Sequence, residues 1–432
     1  MNHRLASQLP HLIRFNFPPL KYAFAYGSAV FKQKGNEKLH DDFDKILMSH
    51  STTLKEEGTS EVVMETPPPS VLKMHDRKKL MVDMVFVVSD SYEWHKQNLL
   101  LNPEHYSWFM RVMGPKVISL LQERFGAKIY YNTMVELKES HSVTSPYLFK
   151  YGVIKAQDLI DDLNHWETLY VSGRLQKPTF EIDVTNPLTR TQKTSQQTPP
   201  PGTSTNSTLT QTPPYTLQKP IDWHGEILKA QEINLEHALF VSLRMMINDL
   251  KITNAISPES GDVQYIKINL FDLFVRIASI SYQGDVRMKI KGAENVNKVF
   301  NIVTTNYDLF IKLYKPILDK NGMEIKKEAH KSSINTMSTT PSYYDFIEIS
   351  NEQIKNVIEK RPLPSAMTKF IQSKQTPSTS STMITNAQFE NAISQIVSRS
   401  STSQTLKGIL SAGFTKSVMY VWEKIKKGMQ KH

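Results

Sequence analysis

The chain has 432 residues, a formal net charge of +10 and an apolar content of 39%. This length predicts two folded units plus connecting segments, and the positive charge favours polyanionic partners such as nucleotides, nucleic acid or acidic lipids. The absence of cysteine excludes disulfides and thiolate chemistry, and the sequence has no run of about 18 apolar residues that would span a bilayer as a helix.

The first domain is predicted from an alternation of strand-like and helix-like segments over residues 20–185, which indicates an α/β (α+β) fold. Residues 1–19 precede it and contain arginine but no acid, with leucines at nearly helical spacing. They fit a mitochondrial presequence or, equally well, an ordinary first helix. The predicted strands are 23–26, 80–88 and 128–131, and the predicted helices are 117–125 and 156–172, the latter capped by Gly173.

Three segments rich in Ser, Thr and Pro carry too little apolar surface to offset the entropy of ordering them. Residues 49–70 are interpreted as a disordered insertion in the first domain, and residues 186–220 and 331–404 as linkers. Between the two linkers, residues 221–330 predict a second, mainly helical domain that is compatible with a winged-helix-like module.

The C-terminal residues 405–432 have an amphipathic pattern. Apolar residues recur in them at intervals of three and four, and six lysines accompany a single acid, Glu423. A helix packed in the core is one interpretation. The lysines and the preceding linker favour the other, an amphipathic helix bound to an anionic membrane surface.

A Gly-Ser pair, Gly27 and Ser28, directly follows the first predicted strand. Such a pair lets backbone amides and a hydroxyl approach a triphosphate, and nucleotidyltransferases of the polymerase-β type place it before a strand with metal-binding carboxylates. Two sets of acids compete for that role, because Asp42 and Asp44 lie in a polar segment whereas Asp83 lies within an apolar strand. A carboxylate in so apolar a strand is costly to bury without a cation or another partner, so Asp83 is preferred and the other two fit a solvated turn.

Nine motifs occur in order along both patterned regions: YGSAVFKQ (26–33), MVDMVF (81–86), WHKQNL (94–99), NPEHYS (102–107), KYGVI (150–154), DLNHW (162–166), LYVSGRLQKP (169–178), SYQGDVR (281–287) and NKVFNIV (297–303). Together they resemble the mitochondrial CDP-diacylglycerol synthases, a family also called phosphatidate cytidylyltransferases or translocator assembly and maintenance proteins. Two departures from the family pattern occur. Ala29 replaces a usual second glycine, and the low-complexity insertion lengthens the separation between Ser28 and Asp83.

The resemblance implies a polymerase-β-type nucleotidyltransferase domain with a winged-helix-like partner. It implies transfer of CMP from CTP to phosphatidic acid with Mg²⁺ as cofactor, which yields pyrophosphate and CDP-diacylglycerol, a precursor of cardiolipin. The implied location is peripheral, on the matrix side of the mitochondrial inner membrane.

We hypothesise roles for individual residues of these motifs, and for the group His95, Asn98, Asn102 and His105 the hypothesis depends on the resemblance. Asp83 and Lys150 are the expected catalytic residues, with Asp83 as the metal ligand. The expected CTP-binding residues are Gly27, Ser28, His95, Asn98, Asn102 and His105. The expected contacts of the lipid phosphate are Arg174, Lys177, Tyr282, Asp285 and Arg287, although the first two also suit the end of a helix, where cations complement the dipole.

Two rival functions use the same sequence features. A nucleotidyltransferase acting on RNA or a small nucleotide would need the same Gly-Ser pair and aspartate. Nucleic acid is nevertheless a disfavoured partner, because the lysines concentrate at the C-terminus and the core has no aromatic-basic RNA-binding motif. A non-catalytic, membrane-peripheral scaffold for protein import would keep the fold and fail to bind CTP.

Overall fold

A computed structural model describes nine parts of the chain: residues 3–31, 81–140, 143–144, 147–184, 221–252, 265–285, 297–327, 345–374 and 384–412. Of the predicted site residues, Arg287 and the alternative acids Asp42 and Asp44 lie outside these parts. The predicted insertion 49–70 and the linker 186–220 also lie outside them.

The first unit is built on a mixed five-stranded sheet. Its strands are β1 (Tyr22–Tyr26), β2 (Met81–Val88), β3 (Ile129–Val135), β6 (Leu148–Lys155) and β7 (Phe180–Glu181), while β4 (Lys138–Ser140) and β5 (Val143–Thr144) form a separate antiparallel pair. The strand order is β3–β6–β2–β1–β7. Strands β2 and β6 are parallel and the other neighbours are antiparallel, so the central strand β2 lies between one parallel and one antiparallel partner.

Helices cover both faces of this sheet: α1 (His3–Asn16), α2 (Ser91–Leu101), α3 (Trp108–Arg124), α4 (Ala156–His165) and the short α5 (Ser172–Leu175). Side chains alternate along β2, so Met84 and Phe86 pack in one core cluster with Leu9 of α1, and Val85 packs on the opposite face with Leu159 of α4. Helix α1 contributes fully buried residues to this core. This is the arrangement expected of an ordinary first helix, one of the two interpretations of residues 1–19.

The second unit combines helices with a small antiparallel sheet of order β8–β10–β9. In chain order its elements are α6 (Trp223–Ile252), β8 (Tyr265–Asn269), α7 (Leu270–Ser279), α8 (Lys298–Thr305), α9 (Tyr307–Lys320), β9 (Ile325–Lys327), β10 (Asp345–Ser350), α10 (Asn351–Lys355), α11 (Ser365–Gln372) and α12 (Asn386–Ala412). A single large core cluster runs through this unit and also includes Trp166 and Leu169 of the first unit. The two units therefore share a packed interface.

The prediction of a linker over residues 331–404 is wrong for the part that the structure describes. Strand β10 and helices α10, α11 and α12 all lie within or begin within that range. The reason is visible in α12, where Phe389, Ile393 and Ile396 recur at intervals of three and four and are buried in the core of the second unit. About two and a half turns of regularly spaced apolar side chains, from Phe389 to Val397, outweigh a Ser/Thr-rich composition.

The predicted helix over residues 156–172 ends earlier than expected. Helix α4 stops at His165, and Trp166 adopts a left-handed backbone conformation with φ 56° and ψ 41°. Gly173 lies inside α5 and does not cap a helix. Within the described ranges, no helix combines the length and apolar character needed to cross a bilayer.

Candidate active site

A cleft of about 300 Å³ lies where the sheet of the first unit meets the second unit. Its lining joins the end of β1, the middle of β2 and β6, the loop around α5, the turn after α7 and one face of α12. Eight of the predicted site residues line it: Gly27, Ser28, Asp83, Lys150, Arg174, Lys177, Tyr282 and Asp285. We call this cleft the Asp83 pocket.

Asp83 is placed in the pocket by strand register. It pairs with Tyr26 of β1 on one side and with Lys150 of β6 on the other. The Lys150 ammonium nitrogen lies 3.1 Å from Asp83 Oδ1 and 5.0 Å from the centre of the Tyr131 ring. The carboxylate and the ammonium remain 29% and 22% exposed, so both are available to a ligand. Lys150 is therefore the partner of the Asp83 carboxylate within the described ranges.

Gly27 makes a tight turn directly beside the Asp83 carboxylate. Its φ of +86° is a conformation that other L-residues adopt only with strain, and a Cβ at this position would lie 3.5 Å from Asp83 Oδ2. The Gly27 carbonyl accepts hydrogen bonds from the amides of Val30 (3.1 Å) and Phe31 (3.0 Å). The turn brings Ser28 to the mouth of the pocket, where the predicted phosphate contact would occur.

Three further cations, Arg174, Lys177 and Lys298, form a basic wall opposite Asp83. The Arg174 guanidinium lies over the Tyr170 ring at 4.0 Å, and the Lys177 ammonium donates a hydrogen bond to Ser281 Oγ at 2.8 Å. Burial lowers the pKa of Lys177 to about 7, and the positive charges of Arg174 and Lys298 act in the same direction. An anion bound between these cations would reverse that shift and keep Lys177 protonated.

Asp162 orders the loop that carries the basic wall. Its buried carboxylate accepts four hydrogen bonds, from Thr168 N (2.7 Å), Thr168 Oγ1 (2.8 Å), Leu169 N (3.1 Å) and Ser172 N (3.0 Å). These bonds hold the chain between α4 and α5 in a fixed course and explain why α4 does not continue to residue 172. Asp162 lay in one of the nine motifs, but no role was predicted for it.

The pocket also contains residues that the sequence prediction missed. Lys298 and Ser281 belong to matched motifs without an assigned role, whereas Val397, Ser400 and Ser401 come from α12, which was predicted to be a linker. Ser400 Oγ donates to the carbonyl of Thr168 at 2.7 Å and so ties α12 to the loop of the basic wall. The helical spacing of the apolar residues in α12 is the signal that could have revealed this contribution.

Four predicted CTP-binding residues lie elsewhere, on the opposite face of the sheet. His95, Asn98, Asn102 and His105 are buried around the Tyr151 hydroxyl, which lies 3.0 Å from Asn98 Nδ2 and 3.0 Å from His105 Nδ1. Tyr151 follows Lys150 on β6, so side-chain alternation points the two away from each other.

His95 illustrates the structural role of this cluster. Its ring nitrogens lie 2.8 Å from the Tyr106 hydroxyl and 2.9 Å from Gln122 Oε1, and burial lowers its pKa to about 4. A neutral, hydrogen-bonded histidine in a closed network satisfies buried polar groups. We therefore correct the prediction that these four residues contact the nucleotide and assign them to the packing of α2 and α3 against the sheet.

Comparisons with known proteins agree with the resemblance noted from the motifs. The sequence profile of the family described as mitochondrial phosphatidate cytidylyltransferase matches residues 9–198 and 215–427. A mitochondrial phosphatidate cytidylyltransferase of Dictyostelium discoideum is 32% identical, over 95% of this chain and 82% of the relative. Proteins of the same description from Schizosaccharomyces pombe (29%, over 98% and 84%) and Danio rerio (30%, over 94% and 89%) are also similar. The chain therefore belongs to the mitochondrial phosphatidate cytidylyltransferase family.

Proposed function

We propose that the protein transfers CMP from CTP to phosphatidic acid in the Asp83 pocket, forming CDP-diacylglycerol and releasing pyrophosphate. The observation that carries this proposal is the Asp83–Lys150 pair beside the Gly27 turn, in a cleft lined by three more cations. A triphosphate and a lipid phosphate are both polyanions, and a site that brings them together needs this excess of positive charge. The described relatives carry the name of this activity.

In the proposed reaction an oxygen of the lipid phosphate attacks the α-phosphorus of CTP. A new P–O bond forms as the bond to the bridging oxygen breaks, and pyrophosphate leaves with that bonding pair. The lipid phosphate is a monoester with a second pKa of about 6, so it is largely dianionic at neutral pH and needs no general base. The main barrier is charge repulsion between the two anions, which positioned cations reduce.

Different parts of the pocket suit different phosphate groups of the two substrates. We assign the β- and γ-phosphates of CTP to the Gly27–Ser28 turn, and the charge near the α-phosphate to Lys150. The basic wall of Arg174, Lys177 and Lys298 lies in the part of the pocket contributed by α5 and the second unit and suits the phosphate of the lipid. Tyr282 lies between Lys177 and Lys298, each 5.4 Å from its ring centre, and spaces these two cations.

Magnesium fits the donor set at Asp83. Mg²⁺ is usually held by one or two carboxylates together with substrate phosphates. Asp83 Oδ1 faces Lys150 and Oδ2 faces Gly27, so the carboxylate lies beside the proposed triphosphate site. The described ranges contain no group of three or more His, Cys, Asp or Glu side chains able to hold a metal by themselves, so CTP would supply oxygen ligands. When bound, Mg²⁺ would neutralise charge on the leaving pyrophosphate.

We also propose the finer fold assignments that the sequence suggested. The Gly-Ser turn at the end of β1 and the aspartate on the adjoining β2 support a polymerase-β-type nucleotidyltransferase domain. The three-stranded antiparallel sheet β8–β10–β9 with its surrounding helices supports a winged-helix-like second domain, although one with more sheet than the mainly helical prediction.

The proposed site of action is the matrix face of the mitochondrial inner membrane, reached through the C-terminal segment. The family description supports a mitochondrial location. Part of the predicted amphipathic helix needs correction, because Lys407 is buried and donates to the carbonyls of Leu121 (3.4 Å) and Phe125 (2.5 Å) at the end of α3. The proposed membrane segment is therefore restricted to residues 413–432, which lie outside the described ranges.

Asp83→Asn tests the assignment of the active site. We expect CDP-diacylglycerol formation from CTP, Mg²⁺ and vesicles containing phosphatidic acid to fall by roughly 100-fold or more, because the variant loses the metal-binding charge at unchanged size. Asp161→Asn, which removes a carboxylate on the outer side of α4, is the matched control and should keep full activity. Retained turnover in Asp83→Asn would refute the assignment and point to Asp42 and Asp44. CTP binding without product in the wild-type protein would mean that the acceptor is wrong.

A further inference from the structure

Six large apolar side chains are exposed at the end of α2 and the start of α3, two helices that pack against each other. We call this surface the α3 patch, and its members are Leu100, Leu101, Trp108, Phe109, Val112 and Met113. Leu100, Trp108 and Val112 are 81%, 71% and 65% exposed. Several large apolar side chains exposed within fourteen residues of a folded protein favour an interaction site.

The first turns of α3 are built as a separate, protruding segment. Gly114 interrupts the helix with φ +76° and ψ 176°, and Pro115 follows it, so residues 108–113 form a helical segment of their own. Within that segment only Met110 is buried, in a small cluster with Tyr106 and Ile118. Met110 therefore holds this segment against the domain, while its other apolar side chains are exposed to solvent.

The charges around the patch favour an anionic surface. The segment contributes one exposed cation, Arg111, and the exposed Lys116 follows the break, whereas Glu104 is the one acid between residue 100 and residue 122. Trp108 adds an aromatic ring with a polar N–H, which is the side-chain type enriched at membrane–water interfaces. Apolar and aromatic side chains mixed with basic ones are typical of helices that lie in the headgroup region of a bilayer.

The α3 patch follows residues that pack against the sheet on the face opposite the Asp83 pocket. His105, three residues before Trp108, has Nδ1 3.0 Å from the Tyr151 hydroxyl. Tyr151 directly follows Lys150, whose ammonium contacts Asp83. The patch and the pocket are therefore connected through β6, and docking of the patch would hold the domain that contains the pocket at the bilayer that presents its lipid.

We propose that the α3 patch docks on the anionic bilayer and holds the domain that contains the Asp83 pocket at the membrane surface. The choice of a bilayer as the occupant rests on the proposed function, because phosphatidic acid is presented by a membrane. The patch would act together with the C-terminal segment: Lys407 of α12 binds the carbonyls at the other end of α3, so the two attachment regions are joined through one helix.

The absence of cysteine from the chain allows a direct test by single-site labelling. Val112→Cys carries an environment-sensitive fluorophore, and Ile221→Cys is the matched control because it is similarly exposed at the opposite end of the sheet. Residue 221 precedes His224, whose ring lies 5.8 Å from that of Tyr22, and Tyr22 pairs with Val87. The labelled protein is mixed with phosphatidylcholine vesicles that contain phosphatidylglycerol. Phosphatidic acid and CTP are left out, so that the result is independent of catalysis.

We expect a blue-shifted, brighter signal at residue 112 on addition of these vesicles, stronger with phosphatidylglycerol than without it, and no change at residue 221. The double variant Trp108→Glu/Val112→Glu should partition onto the vesicles ~10-fold or more weakly, because the burial of even one large apolar side chain is worth about that factor. It should still bind CTP with wild-type affinity, which shows that it is folded.

Four outcomes would overturn the proposal. An unchanged signal at residue 112 on vesicle binding would exclude insertion of the patch, and so would unchanged partitioning of the double variant. A shift that grows with protein concentration in the absence of vesicles would identify the patch as an interface between copies of the chain. A blue-shifted fluorescence at residue 112 that is present without vesicles at every protein dilution, and is lost on deletion of residues 413–432, would show that the chain's own C-terminus covers the patch. Failure of catalysis with vesicle insertion intact would refute the proposed function and leave the docking surface standing.

Discussion

Asp162 offers a test of how the basic wall of the pocket is held in place. Oδ1 accepts three of the four hydrogen bonds to the loop, and Oδ2 accepts the fourth, from the amide of Ser172. In Asp162→Asn the amide oxygen can replace Oδ1, but the NH₂ group then faces the Ser172 N–H. A buried donor left unpaired costs about 1–3 kcal/mol, and a bond to a charged acceptor lies at the upper end of this range. We expect Asp162→Asn to destabilise the protein by about 2–3 kcal/mol.

Asp162→Asn should also weaken substrate binding, because the loop between α4 and α5 is held less firmly. Arg174 and Lys177 stand directly after the residues that Asp162 holds, so a loosened loop lowers the affinity for the anionic substrate more than it affects the fold of the sheet. Urea unfolding gives the stability change, and titration with phosphatidic acid vesicles gives the change in KM. We expect KM for phosphatidic acid to rise by roughly tenfold, which corresponds to about 1.4 kcal/mol.

Asp161→Asn is the control for this experiment. Its carboxylate neighbours Asp162 in α4, and its recorded hydrogen bond is from the exposed Gln157 amide at 2.9 Å. A surface substitution of this kind should change stability by less than about 0.5 kcal/mol. If Asp162→Asn unfolded at the same urea concentration as Asp161→Asn, the loop would not depend on the buried carboxylate and the reasoning would be refuted.

Three further predictions concern the pocket and α12. Because burial lowers the pKa of Lys177 to about 7, its positive charge is lost as the pH rises through 7. The affinity for sulfate, whose charge is constant in this range, should therefore fall above pH 7 in the wild type and stay flat in Lys177→Arg. Gly27→Ala should weaken CTP binding about tenfold, measured by calorimetry, because the left-handed turn costs about 1–2 kcal/mol for an L-residue. Gln404→Ala should lower the unfolding free energy by about 1–3 kcal/mol in thermal melts, because Gln404 pairs a backbone amide and a carbonyl beside β3; an unchanged melt would contradict the docking of α12 on the sheet.

The sequence was most informative where burial and charge conflict. An aspartate within a strand of apolar residues predicted a cation or another partner nearby, and Lys150 lies at the paired position of β6. The Gly-Ser pair was predicted to lie beside the same carboxylate, and it does. Both inferences rest on local physics, since a buried charge needs a partner and a tight turn needs glycine.

Prediction failed where the answer depended on which face of the sheet a residue occupies. His95 and Asn98 follow β2 closely in sequence, yet α2 packs on the face of Tyr151 and not on that of Lys150. Motif similarity located these residues but carried no information on their direction. The end of α4 was missed for a related reason, because the side chain of Asp162 binds amides six to ten residues ahead and no local propensity reports such a bond.

Helix α12 joins the pocket, the sheet and α3 along one face. Ser400 contacts the loop of the basic wall, Gln404 pairs with the backbone beside β3, and Lys407 binds the end of α3. These positions are three or four residues apart, so they lie on the same side of the helix. A truncation at residue 405, the boundary that the sequence suggests, would remove Lys407 and leave buried carbonyls of α3 without their donor. Loss of activity in that variant would report damage to α3 as well as loss of membrane attachment. A truncation after Ala412 keeps all three contacts, and it is the variant that isolates the contribution of residues 413–432 to membrane binding.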